Sequence, residues 1–261
     1  GHRNDCYSRY SRYDGSAWSQ VNESGFGDPN DAGARSMAWF DSHLYVGTEN
    51  NIDGCRVWRW GGSGPSDWAQ VNTDSFGDPS ASNRGVDCLH VYGGDLYAGT
   101  RNDFNGCEVW SYDGVGPWVQ SNGYGFGDSS NTCASSMAVL GADLLVVGTD
   151  NWFGCELWGF DGDTWTQVND DGFSDGYNTC APSMAVLGST LFVGTDNRET
   201  GCEIWRTAGS GGPPFSDWTQ VNADGFGDPD NVTASFLVAS AGAVYSGVRN
   251  DVAGCGVRRY A

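Results

Sequence analysis

The sequence predicts an all-β fold: a five-bladed β-propeller with four antiparallel strands per blade. Three observations carry this expectation. The phrase Trp-x-Gln-Val-Asn starts at Trp18, Trp68, Trp165 and Trp218, and its variant Trp118-Val119-Gln120-Ser121-Asn122 completes a series spaced by 50, 50, 47 and 53 residues. Each unit holds four short runs of β-branched and aromatic residues bounded by Gly, Asn, Asp or Pro, the pattern of strands separated by turns. No stretch sustains a 3.6-residue apolar period, so no helices are expected. The length of 261 residues suits one closed all-β domain spanning residues 1–261. An open β-solenoid is the competing repeat architecture.

Within a unit, strand A is assigned to Ser-Met-Ala-Val-Leu, as at Ser136 to Leu140 and Ser183 to Leu187. It is small and apolar, as a crowded centre requires. Strand B is Leu-Tyr-Val-Gly-Thr, as at Leu44 to Thr48. Strand C is Gly-Cys-Glu-Val-Trp, as at Gly106 to Trp110, and strand D is the Trp-x-Gln-Val-Asn phrase. A Gly-Phe-Gly-Asp loop follows most copies of strand D, as at Gly25, Gly125 and Gly225.

Composition narrows the function classes. Asp+Glu is 33 against Lys+Arg 13, for a net charge of -20, and Lys is absent. Nucleic acid and anionic membrane surfaces reward clustered Lys and Arg, so neither is expected as a partner. Twelve Trp, 11 Tyr and 12 Phe supply more apolar area than a disordered chain carries. No 18-residue apolar run occurs, so no membrane insertion by a helix is expected. The first residue is Gly and no signal-like segment follows, which reads as a mature or trimmed chain.

The turn from C to D reads Tyr13-Asp14-Gly15-Ser16-Ala17-Trp18, Tyr112-Asp113-Gly114 and Phe160-Asp161-Gly162-Asp163-Thr164-Trp165. This resembles the Asp-box hairpin of sialidase-like and other extracellular propellers. The Asp accepts bonds from turn amides, Gly supplies a positive φ, and Trp anchors the hairpin. The whole unit resembles repeats of secreted bacterial and archaeal propellers of unassigned function. That resemblance implies an extracellular or cell-surface protein. It does not bring sialidase activity, because the Arg-Ile-Pro segment that opens the family's arginine triad is missing, and the Arg residues (Arg56, Arg59, Arg206, Arg258) lie at strand C or loops.

Strand alternation places the D–A and B–C loops at one end of the wheel, and these loops hold most of the acids. Asp28, Asp78, Asp128, Asp175 and Asp228 lie in D–A loops beside Phe26, Phe126 and Phe226. Three readings stay open. The acids build Asx turns and keep the surface soluble. They bind calcium through hard oxygen ligands, although no Asp-x-Asp-x-Asp-Gly loop occurs and no other cofactor is implied. Or Asp and Phe together clamp a glycan. His2, His43 and His90 are scattered, and no zinc or nucleophile constellation forms around them.

Five of the nine cysteines share the strand C position: Cys55, Cys107, Cys155, Cys202 and Cys255. Cys133 and Cys180 precede strand A, with Cys88 nearby, and Cys6 precedes the first unit. Buried small residues are one reading. Disulfides are the other: Cys55–Cys88, Cys107–Cys133 and Cys155–Cys180, or Cys88–Cys107, Cys133–Cys155 and Cys180–Cys202, with Cys6–Cys255 joining the chain ends. Asn22-Glu23-Ser24 and Asn231-Val232-Thr233 are glycosylation sequons.

Closure by mixed termini would put the Trp18 strand beside strands A, B and C of the last unit. Residues 4–13, with Cys6, Tyr7, Arg9 and Tyr10, then read as a surplus strand C that competes with Arg258, Arg259 and Tyr260 for one slot. The leading functional expectation is a non-enzymatic extracellular scaffold, self-assembling into oligomers or filaments by exchange of these strands with other copies of itself or other extracellular proteins. The alternative is a lectin-like glycan binder that uses the acidic loop face, with or without calcium.

Overall fold

The computed structural model describes residues 11–261. Their regular structure is antiparallel β, with five single 3-10 turns and no α-helix among the described residues. The chain divides into two compact units at residue 124.

In the first unit, β1 (Ser11–Tyr13) and β2 (Trp18–Gln20) form a two-stranded hairpin. Two four-stranded sheets follow. One comprises β3 (Gly33–Phe40), β4 (His43–Glu49), β5 (Val57–Trp60) and β6 (Trp68–Gln70); the other, β7 (Gly85–Tyr92), β8 (Asp95–Arg101), β9 (Val109–Tyr112) and β10 (Val119–Gln120). The second unit holds β11 (Cys133–Leu140), β12 (Leu144–Asp150), β13 (Leu157–Phe160) and β14 (Trp165–Gln167), then β15 (Cys180–Leu187), β16 (Thr190–Asp196), β17 (Ile204–Thr207) and β18 (Thr219–Gln220). Among the described residues, its last sheet has three strands: β19 (Asn231–Ser240), β20 (Ala243–Asn250) and β21 (Gly256–Tyr260). Sequential antiparallel pairing follows directly from short strands joined by Gly- and Asp-rich turns.

Successive sheets meet along their first strands, β3 beside β7, β11 beside β15, and β15 beside β19. A β-bulge at one repeat position of each first strand redirects the next side chain. As a result the hydroxyls of Ser36, Ser136 and Ser183 donate to the carbonyls of Val86, Ala181 and Ala234 in the neighbouring sheet, at 2.7, 2.6 and 2.7 Å. The apolar cores lie between sheets. In one, Leu157 and Val146 meet Ala181 and Leu191; in another, Ile204 and Phe192 meet Leu237 and Val244.

Two expectations are corrected here. Strand C starts at Val57, Val109, Leu157 and Ile204, two residues after its cysteine. The reason is where the amides go. The N–H groups of Cys55, Cys155 and Cys202 donate to the carbonyls of Asn83, Asn178 and Asn231 in the next D–A loop, so the cysteine serves that loop, while the Glu156 and Glu203 carbonyls accept the Thr149 and Thr195 N–H groups of strand B. The expected disulfides that involve Cys55, Cys155, Cys180, Cys202 or Cys255 are also not formed. These five are free thiols, and Cys55, Cys155 and Cys202 pack in the sheet cores as small apolar residues. Burial pushes the Cys55 and Cys155 thiols up, and Cys202 up to about 12. Cys6, Tyr7, Arg9 and Tyr10 lie outside the described residues.

The glycine before each such cysteine is required by a close approach. Gly201 has φ +100°, and a Cβ there would sit 2.6 Å from Gly225 Cα. Gly201→Ala is therefore expected to destabilise the chain by about 2–4 kcal/mol, from left-handed strain plus backbone overlap. Gly123→Ala, exposed with nothing nearby, should change stability by less than about 0.5 kcal/mol. Urea unfolding of the two variants checks the contrast.

Candidate functional site

The loop face is built on a buried polar network that recurs with the repeat. Asn83, Asn131 and Asn178 in the D–A loops donate from Nδ2 to Oε2 of Glu108, Glu156 and Glu203, at 2.9, 2.7 and 2.7 Å. The same Oε2 atoms accept the indole N–H of Trp110, Trp158 and Trp205, at 2.7, 2.8 and 2.6 Å. On the other side, the Asn131 carbonyl oxygen accepts from Thr149 and Asn151, which opens the B–C loop. One carboxylate thus ties two loops and a strand. Burial pushes Glu108, Glu156 and Glu203 above the usual carboxylate range, against the pull of their Asn and Trp donors.

The first repeat carries the same network with its charges exchanged. Asp31 stands in the Asn position and Arg56 in the Glu position. Asp31 now takes the donors, Asn50 at 3.0 Å and Trp58 at 3.2 Å, and faces Arg56 at 3.3 Å. Arg56 also reaches Asp28, and Asp74 at 2.8 Å. Its guanidinium holds Asp28 and Asp74 below the usual carboxylate range, while burial pushes Asp31 up.

The residues selected from sequence as ligand groups are engaged in the repeat itself. Asp28, Asp78, Asp128, Asp175 and Asp228 accept the backbone N–H two residues ahead through Oδ1, forming Asx turns. Oδ2 of Asp128, Asp175 and Asp228 accepts from the side chains of Asn151, Asn197 and Asn250. Phe26 lies in a left-handed backbone (φ 54°), stacked on Trp58 at 4.8 Å and edge-on to Trp68 at 5.0 Å. Phe126 repeats this with Trp158 and Trp165. Phe226 instead faces the guanidinium of Arg258 at 5.6 Å. Among the described residues, no group of three or more His, Cys, Asp or Glu side chains is arranged to hold a metal ion.

The groups left exposed in the B–C loops of each unit are different ones. The B–C loop tips carry Ile52, Phe104, Trp152 with Phe153, and Val252, all exposed. In the second unit, Trp152, Tyr177, Asp150, Asp196, Arg198 and Glu199 line a cleft of about 610 Å3. Trp152 is 75% exposed and Tyr177 58%. Both stand on fixed backbone. The Tyr177 N–H is held by Asp175 Oδ1, and the Phe153 N–H, next to Trp152, by Asn151 Oδ1, each at 2.9 Å. Asp196 is oriented by Arg198 at 3.3 Å and Thr233 at 2.6 Å. Exposed aromatic faces beside carboxylates and a guanidinium suit a ring with one apolar face and several hydroxyls. Trp152 was passed over in the sequence. Its signal is a large apolar residue directly after the Asn of a polar loop, repeated as Phe104 and Ile52 near the same place.

Neither protein-family models nor curated proteins match the chain. Solved structures do resemble it. The extracellular domain of a hybrid two-component system from B. thetaiotaomicron matches with TM-score 0.59 and 17% identity over 88% of this chain and 27% of that one. An exo-β-1,3-galactanase from Phanerochaete chrysosporium, bound to β-1,3-galactotriose, matches with TM-score 0.53 and 12% identity over 82% and 56%. The Aleuria aurantia lectin, in complex with α-methyl-L-fucoside, matches with TM-score 0.52 and 13% identity over 98% and 87%. The chain thus spans about a quarter of the first protein and half of the second. These likenesses show a propeller fold; they show no family of Asp-box type. They also overturn the expectation that the chain is not an enzyme, since a galactan-cleaving enzyme is among the proteins of this fold. No described helix is long and apolar enough to cross a membrane.

Three substitutions test the network. Raised acids contribute stability that is full below their unfolded pKa, near 4.3, and lost as pH rises through the folded value. Glu156→Gln keeps an acceptor for Asn131 and Trp158 and removes that loss. It should match or exceed the parent in urea at pH 7, with the difference shrinking toward pH 4. Arg56→Glu faces Asp28, Asp31 and Asp74 with a fourth acid and should cost on the order of 3 kcal/mol. Adding Asp31→Asn recreates the other repeats' pair and should recover most of it, which a double-mutant cycle measures.

Proposed function

We propose that the chain is an extracellular, glycan-binding propeller of five blades whose binding face is formed by the D–A and B–C loops, with the Trp152–Tyr177 cleft as one site. The observation that carries this reading is the pair of exposed aromatics, fixed by Asx turns, beside Arg198, Glu199 and the oriented carboxylate of Asp196. The aromatic faces take the C–H face of a sugar and the charged groups take its hydroxyls. A lectin and a galactan-bound hydrolase among the structures of this fold, and an extracellular domain beside them, support the same reading. Calcium is not needed for it.

A second reading, a scaffold that associates with copies of itself, is favoured by one observation. Among the described residues, the last sheet pairs β19 with β20 and β20 with β21, three strands where each complete sheet has four.

The test of the first reading is a glycan array followed by calorimetry on the hits. Trp152→Ala should weaken binding by about tenfold or more, which corresponds to about 1.4 kcal/mol. Its melting temperature should stay unchanged, because the indole is exposed. Binding that survives Trp152→Ala and Tyr177→Ala together would remove this cleft from the proposal.

A further inference from the structure

In the first unit, Val21, Phe26, Leu44 and Val46 form a small cluster around Trp68, the tryptophan of outer strand β6. The Trp68 indole donates to the Val21 carbonyl at 2.7 Å. The same bond recurs from Trp118 to Val71 at 3.0 Å and from Trp218 to Val168 at 2.7 Å. The equivalent walls at the last sheet are Val221, Phe226, Val244 and Ser246. They are present, but no tryptophan fills them. In its place lies a cavity of about 320 Å3 lined by all four, with Arg258 of β21 at its side.

Two residues mark this slot as different from its siblings. Ser246 occupies the position of Val46, Val147 and Val193, is 5% exposed, and its hydroxyl has no partner. Arg258 occupies the position of Trp58 and covers Phe226 with a cation instead of an indole. Meanwhile β2 carries the phrase that fills the slot elsewhere, Trp18-Ser19-Gln20-Val21-Asn22. Its Trp18 is 72% exposed, and in the described residues the strand belongs to a two-stranded hairpin of three residues per strand, a form that is marginal alone in water.

We infer that the groove along β21 is a docking site for β2 of a second copy of this chain, entered by Trp18. Outer-strand addition supplies main-chain bonds to the edge, and the indole supplies specificity. Register follows from the first sheet, where Trp60 pairs with Trp68, Arg59 with Ala69 and Trp58 with Gln70. Transferred to β21, Tyr260 faces Trp18, Arg259 faces Ser19 and Arg258 faces Gln20. Arg258 and Arg259 also make this edge basic on a chain of net charge -20, which favours approach of another copy here. The inference rests on the self-associating reading above.

The full chain tests it. Ser19→Cys and Arg259→Cys, prepared separately and mixed under mild oxidant, should give a product of twice the chain mass that neither variant gives alone. Trp18→Ala in the first variant should cut its yield at least tenfold, with an unchanged melting temperature for the uncrosslinked chain. Light scattering on the parent separates the two levels of the argument. Oligomers that persist with Trp18→Ala, without the crosslink, would leave self-association standing and overturn the β21–Trp18 pairing. A parent that stays at monomer mass, without the crosslink, would overturn both.

Discussion

In three repeats the D–A loop depends on one buried carboxylate oxygen, that of Glu108, Glu156 or Glu203. Glu156 Oε2 takes a proton donor from the D–A loop, Asn131, and one from strand β13, Trp158. Asn131 Nδ2 also donates to the Gly125 carbonyl at 2.9 Å, and an unmade bond in that setting costs about 1–3 kcal/mol. The Cys155 amide adds a backbone bond to the Asn178 carbonyl. The glycine before that cysteine leaves room for the Asp171–Gly172 backbone, which a Cβ would meet at 2.8 to 2.9 Å. The loops therefore cannot shift independently, and whatever they present to solvent is held at fixed separation. Trp152 and Tyr177 gain their positions from this, one residue after Asn151 and one residue before Asn178.

Aromatic packing supplies the second constraint. Phe26, Phe76, Phe126, Phe173 and Phe226 all adopt left-handed backbone, with φ between 54° and 59°, a conformation that bulky residues rarely take. The compensation at the first four is a sandwich between the tryptophans of strands C and D. Such a ring cannot also serve as a sugar platform. The Phe ring of the Gly-Phe-Gly-Asp motif is thus engaged in packing, while the exposed aromatic groups sit at loop tips whose identity varies from repeat to repeat.

Much of this was legible in the residues. The Trp-x-Gln-Val-Asn phrase located every outer strand, and its asparagine is a working part: Asn169 Oδ1 accepts the Leu157 N–H and its Nδ2 reaches the Cys155 carbonyl. The Asp-Gly turn behaves as its chemistry dictates, with Asp14 Oδ1 accepting the Ser16 and Ala17 amides and its pKa lowered to about 2 by those bonds, Ala17 first. Gly-Cys-Glu misled because its residue types suit a strand, whereas its cysteine amide answers to a loop in the next repeat. Cys55, Cys155 and Cys202 recur as buried packing positions. Recurrence alone does not distinguish a bridge from a packing position that recurs because the unit does. The buried glutamates were unreadable as such, since nothing in a single Gly-Cys-Glu reveals the Asn that caps it 25 residues earlier in the chain.

What distinguishes the repeats is more informative than what they share. Asp31 and Arg56 depart from the Asn–Glu pair together, so the network survives and the departure is internal to the fold. Ser246, Arg258 and Phe236 also depart together, from Val, Trp and Ser, but nothing in the last sheet balances them. The Ser246 hydroxyl stays without a partner, and the Phe236 ring folds over Gly247, where its siblings place a serine that reaches the neighbouring sheet. A compensated change preserves a structure against drift. An uncompensated one leaves a polar group and a cavity at a cost the fold does not recover by itself. Four filled tryptophan slots show what occupant the shape was derived from, and the exposed Trp18 is the residue of that type which the described structure leaves uncovered.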